Sequence, residues 1–268
     1  MILGVITMST LGKNGRFGNQ LFQYMFLKTY AIRFRCIVQT PVWIGQQLFG
    51  VRDLPNLFPL PEVKQVSETL ALDPIPHTPI VNVDFWGYFQ YHTSYYAPFK
   101  DYIRSLFKPI TPLQVLMNEG VRRLRSQGNT VVSFHFRRGD YDDYDDKVFF
   151  CAPTIWYRKW LEENWSKLNS PVLFIASDEP EKVLGDFQEY NPVTSEQLGI
   201  SFPLAPYYPD FYFLSQSDIV LISNSSFSFA ACMLNESGQL FLRPHKDLAQ
   251  MIPFDPWNSE PLLRDFSP

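Results

Sequence analysis

The chain has 268 residues, 46% hydrophobic and 19% charged, which is enough for a sizeable core in one large or two ordinary α/β domains. Its formal net charge of −4 argues against the basic stripe of a nucleic-acid partner. Cys36, Cys151 and Cys232 are an odd, widely spaced trio without a Cys-x-x-Cys pair, so neither a disulfide framework nor a zinc site is expected.

The N-terminal run Met1 to Met8 lacks a basic n-region and is too short to export or anchor the chain, so it reads as a first strand. No other segment approaches membrane-spanning length, and the expectation is a soluble, cytoplasmic protein. The glycosylation sequons at Asn164, Asn224 and Asn235 are then chance matches. A glycine-rich loop over residues 9–20 leads into an apolar helical run, Leu21 to Ile32, and a short strand around Ile37 to Gln39. Strand, glycine loop and helix open a Rossmann-like unit. The loop does not match G-x-G-x-x-G, so no nicotinamide or flavin cofactor is inferred.

Prolines crowd the stretch from Pro41 to Pro79, which reads as loop with a few short elements. Val81 to Gln90 reads as a strand ending in an aromatic turn, followed by a helix from Ser94 to Phe107. Pro109 and Pro112 bracket the expected domain boundary. Beyond it come a helix (Leu113 to Ser126), a strand beginning Thr130-Val131-Val132 and a helix from Thr154 to Lys167. Then follow a strand from Val172 to Ser177, a short helix after Pro180, a strand from Asp218 to Ser223 and a helix from Ser226. Strands alternating with helices imply parallel sheets. The expected fold is α/β, with two Rossmann-like domains, 1–108 and 109–268, facing across a cleft. Aromatics make up 16% of the residues, and a Phe-rich core accounts for them better than a sugar-binding platform does.

The most informative segment is His135-Phe136-Arg137-Arg138-Gly139-Asp140-Tyr141, which puts two guanidiniums at the carboxyl end of a buried strand. Ligands of open α/β sheets bind there, and a guanidinium grips phosphate oxygens with two parallel hydrogen bonds. Alternation puts His135 on the face of Arg137, where it either orients the site or is a satisfied core histidine. Two further strand ends carry small or polar residues, Ser177-Asp178-Glu179 and Ser223-Asn224-Ser225-Ser226-Phe227-Ser228. The serine cluster offers hydroxyls and backbone N–H groups at a helix N-terminus, and simple capping needs only one serine. Asp140, Asp142, Asp143, Asp145 and Asp146 form an acidic run. It fails as a calcium loop, because Asp145 stands where the glycine belongs and Cys151 where the bidentate glutamate belongs. No metal is expected, since the arginines already supply positive charge.

His135 through Tyr141 resembles the H-x-R-R-G-D-Y signature of the α-1,2-fucosyltransferases. Gly15-Arg16-Phe17-Gly18-Asn19-Gln20-Leu21-Phe22-Gln23-Tyr24 resembles their G-x-L-G-N-Q-M-F-Q-Y. Trp86 through Gln90 resembles their G-Y-[FW]-Q-S, and Asp218 through Ser228 their D-x-x-I-x-S-N-S-S-F-S. The resemblance implies a GT-B-type, inverting, metal-independent enzyme that moves L-fucose from GDP-fucose to the 2-hydroxyl of a galactose-containing oligosaccharide. It implies that Arg137 holds the donor diphosphate, with Arg138 assisting. Asn19 would stand near phosphate and sugar, and Ser225, Ser226 and Phe227 around the phosphates and nucleoside. Arg16, His135, Ser177, Asp178 and Asn224 complete the expected donor site. Asp140 is the candidate general base, with Asp145 second. The N-terminal domain would serve the acceptor and the C-terminal domain the donor. Phe229-Ala230 replaces the family's tandem tryptophans and Phe149-Phe150 its histidine-glycine pair, which reshapes the acceptor side rather than donor chemistry. The rival readings are another GDP-sugar transferase of this fold, a non-catalytic sugar-nucleotide or glycan-binding protein, and a metal-dependent enzyme using the acidic run.

Overall fold

The computed structural model describes residues 4–65, 79–139, 141 and 150–263. Asp140 and the acidic run after Tyr141 lie outside the described residues. The chain divides into two units, Met1–Ile110 with Trp257–Pro261, and Thr111–Pro256 with Leu262–Pro268.

The first unit contains β1 (Gly4–Thr7), α1 (Phe17–Phe34), β2 (Cys36–Gln39), α2 (Gly45–Phe49), β3 (Glu62–Lys64), β4 (Val83–Trp86) and α3 (Lys100–Leu106). Its sheet runs β2-β1-β4-β3, and every pair is parallel. In α1 every residue from Phe17 to Leu27 except Asn19 is buried. A helix so apolar on all sides has to be enclosed. Phe26 stacks on Phe89 at 3.9 Å and meets Phe85 edge-on at 5.1 Å, fixing α1 against β4 and the aromatic turn after it. The helix expected from Ser94 to Phe107 is broken into two 3₁₀ turns, Thr93–Tyr95 and Ala97–Phe99, before α3. Pro98 has no N–H for a continuous helical ladder, so regular helix begins only after it.

The second unit contains α4 (Thr111–Arg125), β5 (Thr130–Phe136), α5 (Thr154–Asn164), β6 (Pro171–Ser177), α6 (Tyr208–Leu214), β7 (Ile219–Leu221), α7 (Ser226–Leu234), β8 (Leu240–His245) and β9 (Gln250–Pro253). The sheet order is β6-β5-β7-β8-β9, parallel except for the last pair. Central β5 is buried from Val131 through Phe136, as a parallel strand covered on both faces must be. Phe134 and Phe136 of β5 meet Tyr157 and Phe187 with ring centroids 4.4–5.5 Å apart, and all four are fully buried. These aromatics are core. The expected pattern stops at the helix after Ser226. The structure adds β8 and the antiparallel β9, and returns Trp257–Pro261 to the first unit.

In both sheets the chain starts at an inner strand and places its next neighbours on opposite sides: β2 and β4 flank β1, and β6 and β7 flank β5. At such a reversal the loops leaving the carboxyl ends diverge and leave a crevice. Each unit therefore has its own crevice of this kind. Among the described residues no helix is long and apolar enough to cross a membrane.

Asp218, expected to open a strand, stands just outside β7. Its carboxylate accepts from Arg125 Nη1 at 3.0 Å and Nη2 at 3.1 Å, and from the Val131 N–H at 2.7 Å. It ties α4 to β5 at the opposite end of the sheet from the arginines. Removing it leaves the buried Val131 N–H without its acceptor and takes the carboxylate from Arg125, which among the described residues keeps only the Gln216 carbonyl. Asp218→Ala should cost about 2–4 kcal/mol, read as a lowered urea midpoint; an unchanged midpoint would show that the clamp carries no stability.

Candidate functional site

In the second unit the loop after β5 carries the arginines, and the chain ends of β6 and β7 close around it. Asp178 Oδ2 accepts from Arg137 Nη1, and its Oδ1 accepts from the Arg138 N–H at 2.9 Å. Glu179 Oε2 takes the next N–H, that of Gly139, at 2.7 Å. The two carboxylates after β6 therefore shape the arginine loop. Arg137 also lies over the Tyr141 ring, 5.2 Å from its centroid. Arg138 turns inward: its Nη2 donates to the Ala152 carbonyl at 3.0 Å, and the guanidinium sits over Phe136 at 5.4 Å.

His135 is buried and tied across the crevice, Nδ1 to Ser223 Oγ at 2.7 Å. Its ring lies 5.1 Å from that of Phe227. Burial, and secondarily the charges of Arg137 and Arg138, push its pKa down to about 3. At neutral pH it is an uncharged hydrogen-bonding group.

The serine cluster is largely occupied by its own architecture. Ser223 bonds His135, Ser225 caps α7 by accepting from the Phe227 N–H at 3.3 Å, and Ser228 Oγ donates to the Ser225 carbonyl at 3.4 Å. What the cluster offers a ligand is the N-terminus of α7. Asn224 commits both ends of its amide to Leu263, at 2.8 Å each, and its carbonyl accepts from Tyr141 Oη at 3.3 Å. Ser177 Oγ accepts from the Glu179 N–H at 3.1 Å and so shapes the turn. His135, Arg137, Arg138, Ser177, Asp178, Asn224, Ser225 and Phe227 thus form one connected group. Asp140 lies outside the described residues.

Asp210 in α6 is a residue the sequence reading does not single out, because an isolated acid in an aromatic run carries no motif. Its Oδ1 is buried without a hydrogen-bond partner. Burial, partly offset by a bond from Ser195, pushes its pKa up to about 7. The neighbouring Phe211 ring is 5.3 Å from Phe227.

In the first unit the corresponding crevice is bounded by the glycine loop after β1 and the aromatic turn after β4. Arg16 is exposed at the N-cap of α1. Asn19 Oδ1 accepts from Gln90 Nε2 at 2.6 Å, and Gln23 Nε2 donates to the Gly87 carbonyl at 3.0 Å. Two of the motifs that carried the resemblance therefore meet side by side. Gly15 has φ +77°, and a Cβ there would come within 2.4 Å of Asn19 Nδ2, so only glycine allows this approach. Thr10 Oγ1, Asn14 Nδ2, Gln20 Oε1, Gln23 Oε1 and Gln90 Oε1 are buried with no hydrogen-bond partner. Buried polar atoms in such number call for water or a polar ligand.

Among the described residues no group of three or more His, Cys, Asp or Glu side chains could hold a metal ion. The paired units, each with a sheet reversal and its own crevice, define a GT-B-type α/β fold. No protein-family model matches the chain and no curated protein matches it. Among solved structures the chain is similar to fucosyltransferase NodZ from Bradyrhizobium, with 11% identity, TM-score 0.63, and coverage of 96% of this chain and 100% of that one. It is also similar to a variant of FUT1 from Arabidopsis thaliana in complex with GDP, with 14% identity, TM-score 0.60, and coverage of 94% and 74%. POFUT1 in complex with GDP is a third, with 12% identity, TM-score 0.51, and coverage of 88% and 96%. At these identities the likeness establishes the fold.

Two buried groups make opposite predictions for stability against pH. Neutral His135 resists the proton that the unfolded chain accepts, so its effect is to weaken the fold as pH falls from about 6.5 towards 3. Asp210 resists the ionisation that the unfolded chain undergoes, so stability is lost as pH rises from about 3.8 through 7. Asp210→Asn should raise the urea midpoint at pH 8 and leave it nearly unchanged at pH 4. Equal shifts at both pH values would show that Asp210 ionises normally in the folded protein.

Proposed function

We propose that the protein is an inverting, metal-independent fucosyltransferase that moves L-fucose from GDP-fucose to the 2-hydroxyl of a galactose-type acceptor. The observation that carries this reading is the crevice at the β5/β7 reversal, where the Arg137 guanidinium, held by Asp178, and the N-terminus of α7 stand at the carboxyl ends of the strands. Support for the donor comes from the NodZ crystal structure soaked with GDP-fucose, of 11% identity and TM-score 0.58, and from the GDP complexes of the other neighbours. Fucose to the 2-hydroxyl of galactose follows from the four motifs that resemble the α-1,2-fucosyltransferases. The neighbouring NodZ is an α-1,6-fucosyltransferase, so linkage is the point that experiment has to decide.

In the reaction the acceptor oxygen attacks C1 of fucose from the face opposite the phosphate. The C1–O bond breaks as the new one forms, and the β-phosphate takes up the bonding pair. A fixed guanidinium facing that oxygen stabilises the charge where it develops, and it needs no reorganisation during the step. Arg137 is suited to this because Asp178 and Tyr141 hold it in place. Arg138, anchored on Ala152, contributes charge and loop shape. His135 stays neutral and adds a polar edge without competing for the phosphate. Asp140 is the proposed base for the acceptor hydroxyl.

GDP release from GDP-fucose, followed in EDTA with β-galactoside acceptors and a no-acceptor control, tests the reading directly. Acceptor-stimulated release and a product linked α-1,2 are expected. Another GDP-sugar used in preference, or tight GDP-fucose binding without turnover on any acceptor, would overturn it. Arg137→Ala should lower kcat by about 10²–10³ with the fold intact, and a near-normal rate would remove Arg137 from the leaving-group role.

A further inference from the structure

The first unit has a second feature at its β1/β4 reversal, separate from the unsatisfied amides of the glycine loop. β1 and β4 are paired in parallel with Thr7 opposite Asp84, the last positions before their chains diverge. Beside them the proline-punctuated segment around Asn56 to Leu60 forms a hollow of about 200 Å³. The segment is held from below: Thr7 Oγ1 donates to Asn56 Oδ1 at 2.8 Å, and the Leu57 N–H donates to Gln39 Oε1 at 3.4 Å. Asp84 accepts from the Ser9 N–H at 2.7 Å and from Ser9 Oγ at 2.5 Å. These bonds orient a carboxylate and an amide without exhausting them. Each Asp84 oxygen keeps a second lone pair, and Asn56 Nδ2 donates to no protein group among the described residues.

Over this polar floor stand Leu57 and Phe58, whose relative exposures of 59% and 75% are high for large apolar side chains. Pro55, Pro59 and Pro61 restrict the backbone that carries them. We infer that this hollow is a subsite for an uncharged sugar ring of the acceptor, an assignment that rests on the sugar-transfer reading above. A pyranose has an apolar C–H face and a rim of hydroxyls that both donate and accept. Phe58 offers the apolar platform, Asp84 an acceptor for hydroxyl protons and Asn56 Nδ2 a donor to a hydroxyl oxygen. No lysine or arginine lines the hollow, and its carboxylate repels phosphate, which sets it apart from a donor site. Its place at a sheet reversal is where a ligand of an open α/β sheet is expected.

The test uses the full chain and lactose. Lactose binding is titrated without donor, and steady-state KM values for lactose and GDP-fucose are measured separately. Phe58→Ala removes an exposed side chain and should leave the fold intact, while Asp84→Asn removes the acceptor charge. Each should weaken lactose binding tenfold or more and raise the lactose KM to match, with the affinity for GDP-fucose changed less than twofold. Lactose failing to bind the wild-type protein, or binding Phe58→Ala and Asp84→Asn as tightly as wild type, would overturn the subsite. Lactose binding that depends on Phe58 and Asp84 in a protein that transfers no fucose would support the subsite and count against the proposed function instead.

Discussion

Two adjacent arginines at the end of a buried strand repel one another and cannot be left in a half-buried loop without a counter-charge. The carboxylates after β6 answer that constraint. Asp178 takes the side chain of Arg137 and the backbone of Arg138, and Glu179 takes the backbone of Gly139. Because β5 and β6 are paired from Thr130↔Pro171 to Phe136↔Ser177, both loops start level, and the contacts follow from that register. The loop is therefore shaped before any ligand arrives, and less ordering has to accompany binding. Asp178 also tempers the field of Arg137.

The two units apply one topological rule to different chemistry. In the second, the reversal between β6 and β7 gathers cations, a neutral histidine and a helix N-terminus. In the first, the reversal between β2 and β4 gathers amides, hydroxyls and the carboxylate of Asp84, with Arg16 exposed at the N-cap of α1. An anionic group is suited to the former, and a hydroxylated one to the latter. Among the residues placed at these crevices the apolar core supplies rigidity. Phe26, Phe85 and Phe89 lock the aromatic turn that presents Gln90, and Phe136 with Tyr157 backs the strand that presents Arg137.

Much of this was legible in the sequence where function and local geometry coincide. A β-branched strand ending in two arginines can be recognised from residue types alone, and so can a strand, glycine loop and helix. Other features had no such signature. Pro98 splits a helix whose apolar pattern runs on past it, β8 is interrupted by Arg243 and Pro244, and β9 is only four residues long and ends in a proline. The serine cluster shows a deeper limit. Counting hydroxyls suggested a surplus for a ligand, but Ser223, Ser225 and Ser228 each have an internal partner that only the three-dimensional arrangement reveals. Asp210 was silent for the converse reason, since its burial, which no motif announces, is what makes it unusual.

His135 joins the two sides of the second crevice and shows why a neutral group belongs there. A protonated imidazole would add a third cation to a loop whose described carboxylates are already engaged by Arg137, Arg138 and Gly139, and its burial would leave that charge unsolvated. Held neutral, the ring can bond Ser223 and lie against Phe227, linking β5 to the start of α7 with no net charge. The positive groups at the crevice are then ones whose charge does not change near neutral pH, the guanidiniums and the helix N-terminus. The field at the site is thus fixed by permanent charges, and the titratable histidine at its centre serves as a strut.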